Sequence, residues 1–421
     1  MNDAGSVLII GTGLAGVTAA ATLREAGHTG RVVLVGDERE SPYDRPPLSK
    51  AVLTNEDLAP LLTLDAASVD PWQVPASLAL RAPNWFTDAQ IEMRLGRAAR
   101  QLDLSRRLVT LADGQSLAFD QLILAMGTRA RRLPALDGGA LPVCYLRTLR
   151  DAVVLRRQLT PGARVVLLGG GIIGMEVAAS ARKLGCEVTV IEPAPRIMSR
   201  ALTEPLSAHV AARHIAEGVT LLTECCLDDE PLDGATLQLQ DGRRLPADVL
   251  VVGIGVLPNI ELAATAGLDC NDGIVVDEFG ATSVDGVFAV GDAANYPDAF
   301  LGRRLRSETW MHAQDHAAAV ARNLLGANTP YRRVPYMWSD QYNLKIQVTG
   351  TTVAARHVLR GDPGRDKFLW LHVEGRRLVG ASGINESRDL KLAQRLIEAA
   401  VDIDPDRLAD PGFNFKKAAE G

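Results

Sequence analysis

Two glycine clusters in this chain carry the pattern that lets backbone close on a phosphate: Gly11-Thr12-Gly13-Leu14-Ala15-Gly16 and Gly169-Gly170-Gly171-Ile172-Ile173-Gly174. In each G-x-G-x-x-G the first glycine (Gly11, Gly169) permits a tight turn. The second (Gly13, Gly171) lets main chain approach a pyrophosphate, and the third (Gly16, Gly174) lets a helix lie close on a strand. An acid answers each cluster downstream: Asp37 stands 21 positions past Gly16 and Glu192 18 positions past Gly174. A carboxylate at that distance accepts from a ribose hydroxyl. The chemistry is dinucleotide binding. Either both sites bind, or one fold was duplicated and one site lost.

Other residues offer charge near these turns. Ser41-Pro42-Tyr43-Asp44-Arg45-Pro46-Pro47-Leu48-Ser49-Lys50 is stiffened by its prolines, so Arg45 and Lys50 project from a rigid loop; the plain alternative is a solvated proline loop. Asp292 ends the buried run Val287 to Gly291, and ligands of parallel sheets sit at that carboxyl end, although a helix N-cap is the competing role. His312 and His316 are four apart on a helix with no third ligand in view, so no metal site is expected. The five cysteines show neither C-x-x-C nor C-x-x-x-x-C, and vicinal Cys225-Cys226 reads as buried thiols.

The elements that must position these residues are legible as runs and periods. Val7 to Ile10 is a buried strand, Val17 to Glu25 a helix and Arg31 to Val35 a second strand, which completes one βαβ unit. Val165 to Leu168, Met175 to Leu184 and Glu187 to Ile191 repeat it. Between them, Ile91 to Leu111 reads as strands with a turn at Asp113-Gly114, and Phe119 to Gly127 as a buried strand. Asn55 to Pro83 reads as a surface excursion with one or two short helices. Val249 to Gly255 suggests a return crossing between domains, and Ser307 to Leu325 a helix. After Pro330 the period changes: Val334 to Gly350 and Phe368 to Val379 alternate, and Arg388 to Val401 is helical. The expected domains are 1–120 with 255–325, then 121–254, then an α+β domain over 326–421. A chain of 421 residues, 47% hydrophobic and 23% charged, supports several ordinary globular domains. Its net charge of −6 supplies no global field for nucleic acid, and no apolar run approaches the ~20 residues of a membrane span. Without a signal-peptide pattern at its start, a cytoplasmic location is expected.

Taken in order, these landmarks resemble the FAD-containing, NADH-dependent ferredoxin reductases of ring-hydroxylating dioxygenases and bacterial cytochrome monooxygenases. Asp44-Arg45-Pro46-Pro47-Leu48-Ser49-Lys50, Leu124-Ala125-Met126-Gly127, Tyr145-Leu146-Arg147-Thr148, Gly253-Ile254-Gly255, Val290-Gly291-Asp292, Ser307-Glu308-Thr309-Trp310 and Trp338-Ser339-Asp340-Gln341 all match beside the two fingerprints. The resemblance implies an α/β fold of two Rossmann-like, glutathione-reductase-like domains, with FAD on the first and NADH on the second, and a C-terminal α+β domain. It implies FAD contacts from Ala15, Asp37, Arg45, Lys50, Ala99, Arg147, Asp292, Thr309, Trp310 and Trp338. Asp292 would hold the ribityl chain, and Gly255 and Ile173 would lie at the NADH side. Lys50 and Glu176 would stand near the reacting rings, and the N-terminus of the helix after Thr309 would face charge developing on the flavin. Met126 replaces the family's usual threonine, so a hydroxyl contact is lost there.

Glu192 would repel a ribose phosphate and favour NADH over NADPH, with Arg196 four positions on as a softening cation. The reduced flavin would pass electrons singly to a 2Fe–2S ferredoxin and so indirectly to a terminal oxygenase. An oxidase, peroxidase or coenzyme A disulfide reductase of this architecture needs a cysteine where Pro46-Pro47-Leu48-Ser49 stands. A protein similar to apoptosis-inducing factor, acting through partner or nucleic-acid contacts, lacks support from a basic tail. Arg303, Arg304 and Arg306, with Arg388, Lys391 and Arg395, are the cations expected to meet an acidic ferredoxin, against the alternative of solvated surface charge.

Overall fold

The structure, a computed structural model, describes residues 5–410 and 412–420. Val7–Ile10 is apolar at all four positions, and such a strand needs cover on both faces. Val32–Val35 and Gln121–Leu124 flank it in parallel, with Val7 opposite both Val32 and Gln121. Ile91–Arg94 and Val287–Ala289 extend this sheet at its two edges. Alternation then sorts the side chains. Val7 and Ile9 cluster with Val17, Ala20 and Leu23 of the Leu14–Glu25 helix and with Ala317 and Val320 of the Trp310–Leu324 helix. Leu8 and Ile10 cluster instead with Leu102, Val109, Leu111 and Leu117. Those four come from an antiparallel sheet of Ala99–Asp103, Leu108–Leu111 and Ser116–Ala118. The described residues up to Asp44, with 67–129 and 256–333, make this unit.

A second unit takes 45–66, 130–255 and the described residues from Val334 onward. Arg164–Leu168 lies between Glu187–Glu192 and Val249–Val252, all parallel, with Val219–Thr223 and Val143–Cys144 outside them. The antiparallel strands Leu227–Asp233, Thr236–Leu239 and Arg244–Pro246 form a small separate sheet. From Tyr336 the period of two yields five antiparallel strands in the order Tyr336–Gln341, Leu344–Gly350, Arg377–Ile384, Lys367–Glu374 and Arg356–Asp362. The Ser387–Glu398 helix buries one stripe, Leu390, Ala393, Leu396 and Ile397. No helix among the described residues is long and apolar enough to cross a membrane.

Several boundaries differ from expectation. Gln121–Leu124, placed by the sequence at the start of the 121–254 domain, is an inner strand of the first sheet. Leu122, Ile123 and Leu124 are fully buried, so the strand fits only where both of its faces are covered. Residues 45–66 group with the second nucleotide turn rather than the first, and residues from Val334 group with 130–255. The helix expected from Ser307 starts at Trp310, because Thr309 caps it and its Oγ1 accepts from His312 N at 3.2 Å.

Candidate functional site

Gly11 has φ of 121°, a backbone conformation that side-chain-bearing residues rarely adopt. A Cβ there would stand 2.1 Å from the Ala125 carbonyl oxygen, and one at Gly16 would stand 1.9 Å from that of Gly11. At Gly13, in contrast, a Cβ would meet nothing within 4 Å. The second turn repeats this division. Gly169 (φ 107°) would place a Cβ 2.5 Å from the Gly253 oxygen, Gly174 one 2.2 Å from that of Gly169, and Gly171 one in open space. The helices that follow have no side-chain N-cap. Packing therefore dictates the outer glycines, while the middle one leaves room before an uncapped helix N-terminus. Room and backbone donors are what a pyrophosphate needs, so both turns fit a dinucleotide.

Around the first turn, Gly291 (φ 66°) comes so close to Ala15 that an added Cβ would lie 2.9 Å from that of Ala15. This sets Asp292, in the short Gly291–Ala293 turn, against the start of the Leu14–Glu25 helix. Thr128 Oγ1 donates to Asp292 Oδ2 at 3.4 Å. Asp37 is exposed just past Val32–Val35, and its Oδ1 accepts from Glu38 N at 2.9 Å. Trp310 Nε1 donates to Asp44 Oδ1 at 2.7 Å. Ala99 is half-buried at the start of its strand, opposite Leu111. In the interior His312 stacks on Tyr296 and on His316, and His316 meets Tyr331 at a tilt of 46°. Burial lowers the His312 pKa to about 4 and that of His316 well below the usual value.

Around the second turn, Glu192 ends its strand with both oxygens engaged: Oε2 accepts from Gly170 N at 2.7 Å and Oε1 from Ala194 N at 2.8 Å. The carboxylate is thereby fixed inside the turn. Arg196, read from sequence as a cation that softens it, donates instead to the carbonyls of Leu202 at 2.7 Å and Ser199 at 3.1 Å. Ile173 is apolar yet 48% exposed at the mouth of this turn. Gly255 (φ 98°) follows the Val249–Val252 strand. Arg45 Nη1 donates to Arg147 O at 2.5 Å, and Arg147 N to Asp151 Oδ2 at 3.0 Å. Trp338 is half-buried beside Tyr336, with ring centroids 6.2 Å apart.

Lys50 and Glu176 do meet. Lys50 Nζ lies 2.8 Å from Glu176 Oε1, with side chains 23% and 2% exposed. Ser339 Oγ donates to the same Oε1 at 2.6 Å, and Ser49 Oγ donates to Oε2. Sequence reasoning placed both residues near the reacting rings but gave the two serines no role. A signal existed: strand alternation puts Ser339 and Gln341 on one face of Tyr336–Gln341, and polar residues on an inward face need partners. The first unit thus gathers Gly11, Gly13, Ala15, Gly16, Asp37, Ala99, Asp292, Thr309 and Trp310. The second gathers Arg45, Lys50, Arg147, Gly169, Gly171, Ile173, Gly174, Glu176, Glu192, Arg196, Gly255 and Trp338.

Two parallel sheets with the same glycine turn define a class, the oxidoreductases with paired dinucleotide-binding folds. The pyridine nucleotide-disulphide oxidoreductase family matches residues 5–317, and the reductase C-terminal family matches residues 336–419. The chain is 39% identical over 420 residues to the ferredoxin–NAD(+) reductase component of the p-cumate 2,3-dioxygenase system of Pseudomonas putida, covering 99% of each. It is 40% identical to rhodocoxin reductase of Rhodococcus erythropolis, covering 98% of this chain and 94% of that one. Its fold is similar to the reductase in a crystal structure of the covalent putidaredoxin reductase–putidaredoxin complex. The TM-score is 0.89 at 34% identity, with 100% of this chain and 99% of that one covered. The chain belongs to the family of FAD- and NADH-dependent ferredoxin reductases.

Proposed function

We propose that this protein carries electrons from NADH through one non-covalently bound FAD to a 2Fe–2S ferredoxin, which serves a bacterial cytochrome-type monooxygenase or a ring-hydroxylating dioxygenase. The observation that carries this reading is the partly buried Lys50–Glu176 pair, whose Glu176 lies on the helix that opens at the second glycine turn. Isolated surface pairs are worth little, but a pair whose carboxylate is buried and takes two added hydroxyl donors is a fixed electrostatic feature. FAD, when bound, supplies the chemistry of taking an electron pair from NADH and giving it up one electron at a time. The chain's own work is position and field. The N-terminus after Gly13 would hold the FAD pyrophosphate, Asp37 a ribose hydroxyl and Asp292 the ribityl chain. Ala15, Ala99, Arg45, Lys50, Arg147, Thr309, Trp310 and Trp338 would complete that site. The N-terminus after Gly171 would hold the NADH pyrophosphate, with Ile173 covered by the nucleotide and Glu192 accepting from the adenosine ribose. Lys50 and Glu176 would orient the reacting rings.

No dithiol relay enters this reading, since the 45–50 loop holds no cysteine. A cytoplasmic location goes with it: all five cysteines are free thiols, as a reducing compartment keeps them. The test is stopped-flow mixing of the purified yellow protein with NADH, followed by mixing with 2Fe–2S ferredoxins. Bleaching by NADH, then reoxidation by ferredoxin much faster than by dioxygen, is expected. A protein that binds no FAD, or one that NADH leaves unbleached, overturns the reading.

A further inference from the structure

The Lys50–Glu176 pair stands at the end of a longer series of hydrogen bonds, and the carboxylate sets the direction of all of them. A carboxylate accepts and does not donate, so Ser339 must donate to Glu176. The Ser339 oxygen can then accept, and Gln341 Nε2 lies 3.0 Å from it. That fixes the Gln341 amide with its oxygen toward His214, whose Nε2 is 2.8 Å away. His214 Nε2 must therefore carry the hydrogen, leaving Nδ1 to accept from the Tyr342 hydroxyl at 3.3 Å. Every bond points toward Glu176. Ser339, Gln341 and His214 are 0%, 1% and 0% exposed, so bulk solvent does not reach them. Burial lowers the His214 pKa to about 4, and only the neutral ring can donate at one nitrogen while accepting at the other. Bonds aligned in this way polarise and strengthen one another.

We propose that Ser339, Gln341 and His214 are positioning residues that hold the Lys50–Glu176 pair in one orientation for reduction of the flavin by NADH. The proposal rests on the function given above. Its three residues come from two distant parts of the sequence: His214 from the Glu204–Ala216 helix, and Ser339 and Gln341 from the first strand of the last sheet. The series conducts no proton, because an amide does not pass one from its oxygen to its nitrogen in the time of a turnover. It works by geometry. Glu176 Oε1 is held from two directions, by Lys50 and Ser339, and Oε2 by Ser49, which fixes the carboxylate plane. The Lys50 ammonium is fixed with it, where a solvated pair would exchange among many side-chain arrangements.

The FAD-loaded wild type, Ser339→Ala, Ser339→Thr and Gln341→Met are compared in two measurements. One is the rate at which an N-hydroxysuccinimide ester acylates Lys50, read by mass spectrometry against exposed Lys417. The other is the limiting rate of flavin bleaching by NADH, together with the NADH dissociation constant. Ser339→Ala is expected to raise Lys50 acylation at least about threefold and to slow bleaching about tenfold, with the dissociation constant within about twofold. Ser339→Thr, which keeps the hydroxyl, restores both. Gln341→Met moves both in the same direction by less, and decides the matter if Ser339→Ala does not fold. Wild-type values in Ser339→Ala, or a loss confined to thermal stability, overturn the proposal, as does failure of threonine to rescue. A wild type that NADH does not bleach overturns the functional reading instead, and the acylation rates still judge the positioning series.

Discussion

Glu192 shows how a side chain's place can be read from spacing while its neighbour's partners cannot. Its place 18 residues past Gly174 marked it as a ribose acceptor, and the structure puts it at the end of its strand with both oxygens held by backbone N–H groups. Replacing it with alanine is expected to weaken NADH by the loss of a charged hydrogen bond, about 1.5–3 kcal/mol, and to narrow the preference over NADPH. The ratio of the two kcat/KM values measures this, and an unchanged ratio would show that Glu192 does not read the ribose. Arg196 was expected to soften that preference from four positions away. Its guanidinium is committed to the Ser199 and Leu202 carbonyls, a destination set by how the loop closes and invisible in a linear pattern. Arg196→Ala should therefore leave the ratio within about twofold of wild type. The partners of Glu176 were hidden for a related reason. Ser49 and Ser339 lie far from it in sequence, and nothing local names the side chain they meet.

At the scale of elements, the two glycine turns separate packing from ligand space, and this separation can be tested in a single experiment. Gly16→Ala would set a methyl group 1.9 Å from the Gly11 oxygen, so the first helix must leave its strand. Gly13→Ala meets nothing within 4 Å of its new atom. Thermal unfolding of the FAD-depleted chains should show Gly13→Ala within about 0.5–1 kcal/mol of wild type and Gly16→Ala several-fold worse. FAD content should fall in both. Equal melting temperatures for the two variants would contradict this division of labour. Both turns and most strands were legible because their apolar runs are unambiguous. Gln121–Leu124 was legible as a strand but not as a member of the first sheet. Its partners, Val7–Ile10 and Val287–Ala289, lie more than a hundred residues away on either side, and no periodicity reports such pairing.

For the whole molecule, the cations expected to greet an acidic ferredoxin divide into two kinds. Arg304 is spent on Asn295 Oδ1 at 3.0 Å and Val276 O at 2.6 Å. Arg306, its side chain only 9% exposed, is paired with Asp272 at 3.0 Å and Glu308 at 2.7 Å. Arg303, in contrast, is exposed, and Arg388, Lys391 and Arg395 are exposed along one face of the Ser387–Glu398 helix. Reversing the three charges on that helix should lower the ferredoxin on-rate at low salt to its high-salt value, while flavin bleaching by NADH stays constant. An on-rate indifferent to salt and to the triple change would place docking elsewhere.

A pH dependence of stability also belongs to this scale. His214, His312 and His372 have pKa values lowered to about 4, about 4 and about 3, and His316 lies well below the usual value, all chiefly through burial. Between those values and 6.5 the unfolded chain binds the extra protons, so stability rises with pH there and is lost as pH falls from 6.5 toward 4. Each histidine contributes up to about 1.4 kcal/mol per pH unit within its window. Urea midpoints should therefore drop steadily from pH 7 to pH 5, and a flat profile would refute this.

The inner place of Gln121–Leu124 also bears on how the protein is made. While the chain leaves the ribosome, this strand can join Val7–Ile10 early, but its other edge waits for Val287–Ala289. That partner emerges about 160 residues later, roughly 8–30 s at ordinary elongation rates. Through that interval the nascent sheet presents a bare hydrogen-bonding edge with leucines and an isoleucine along it, the kind of surface on which neighbouring chains pair. Synthesis of this reductase thus has a long vulnerable window, which closes only after about two thirds of the chain has been translated.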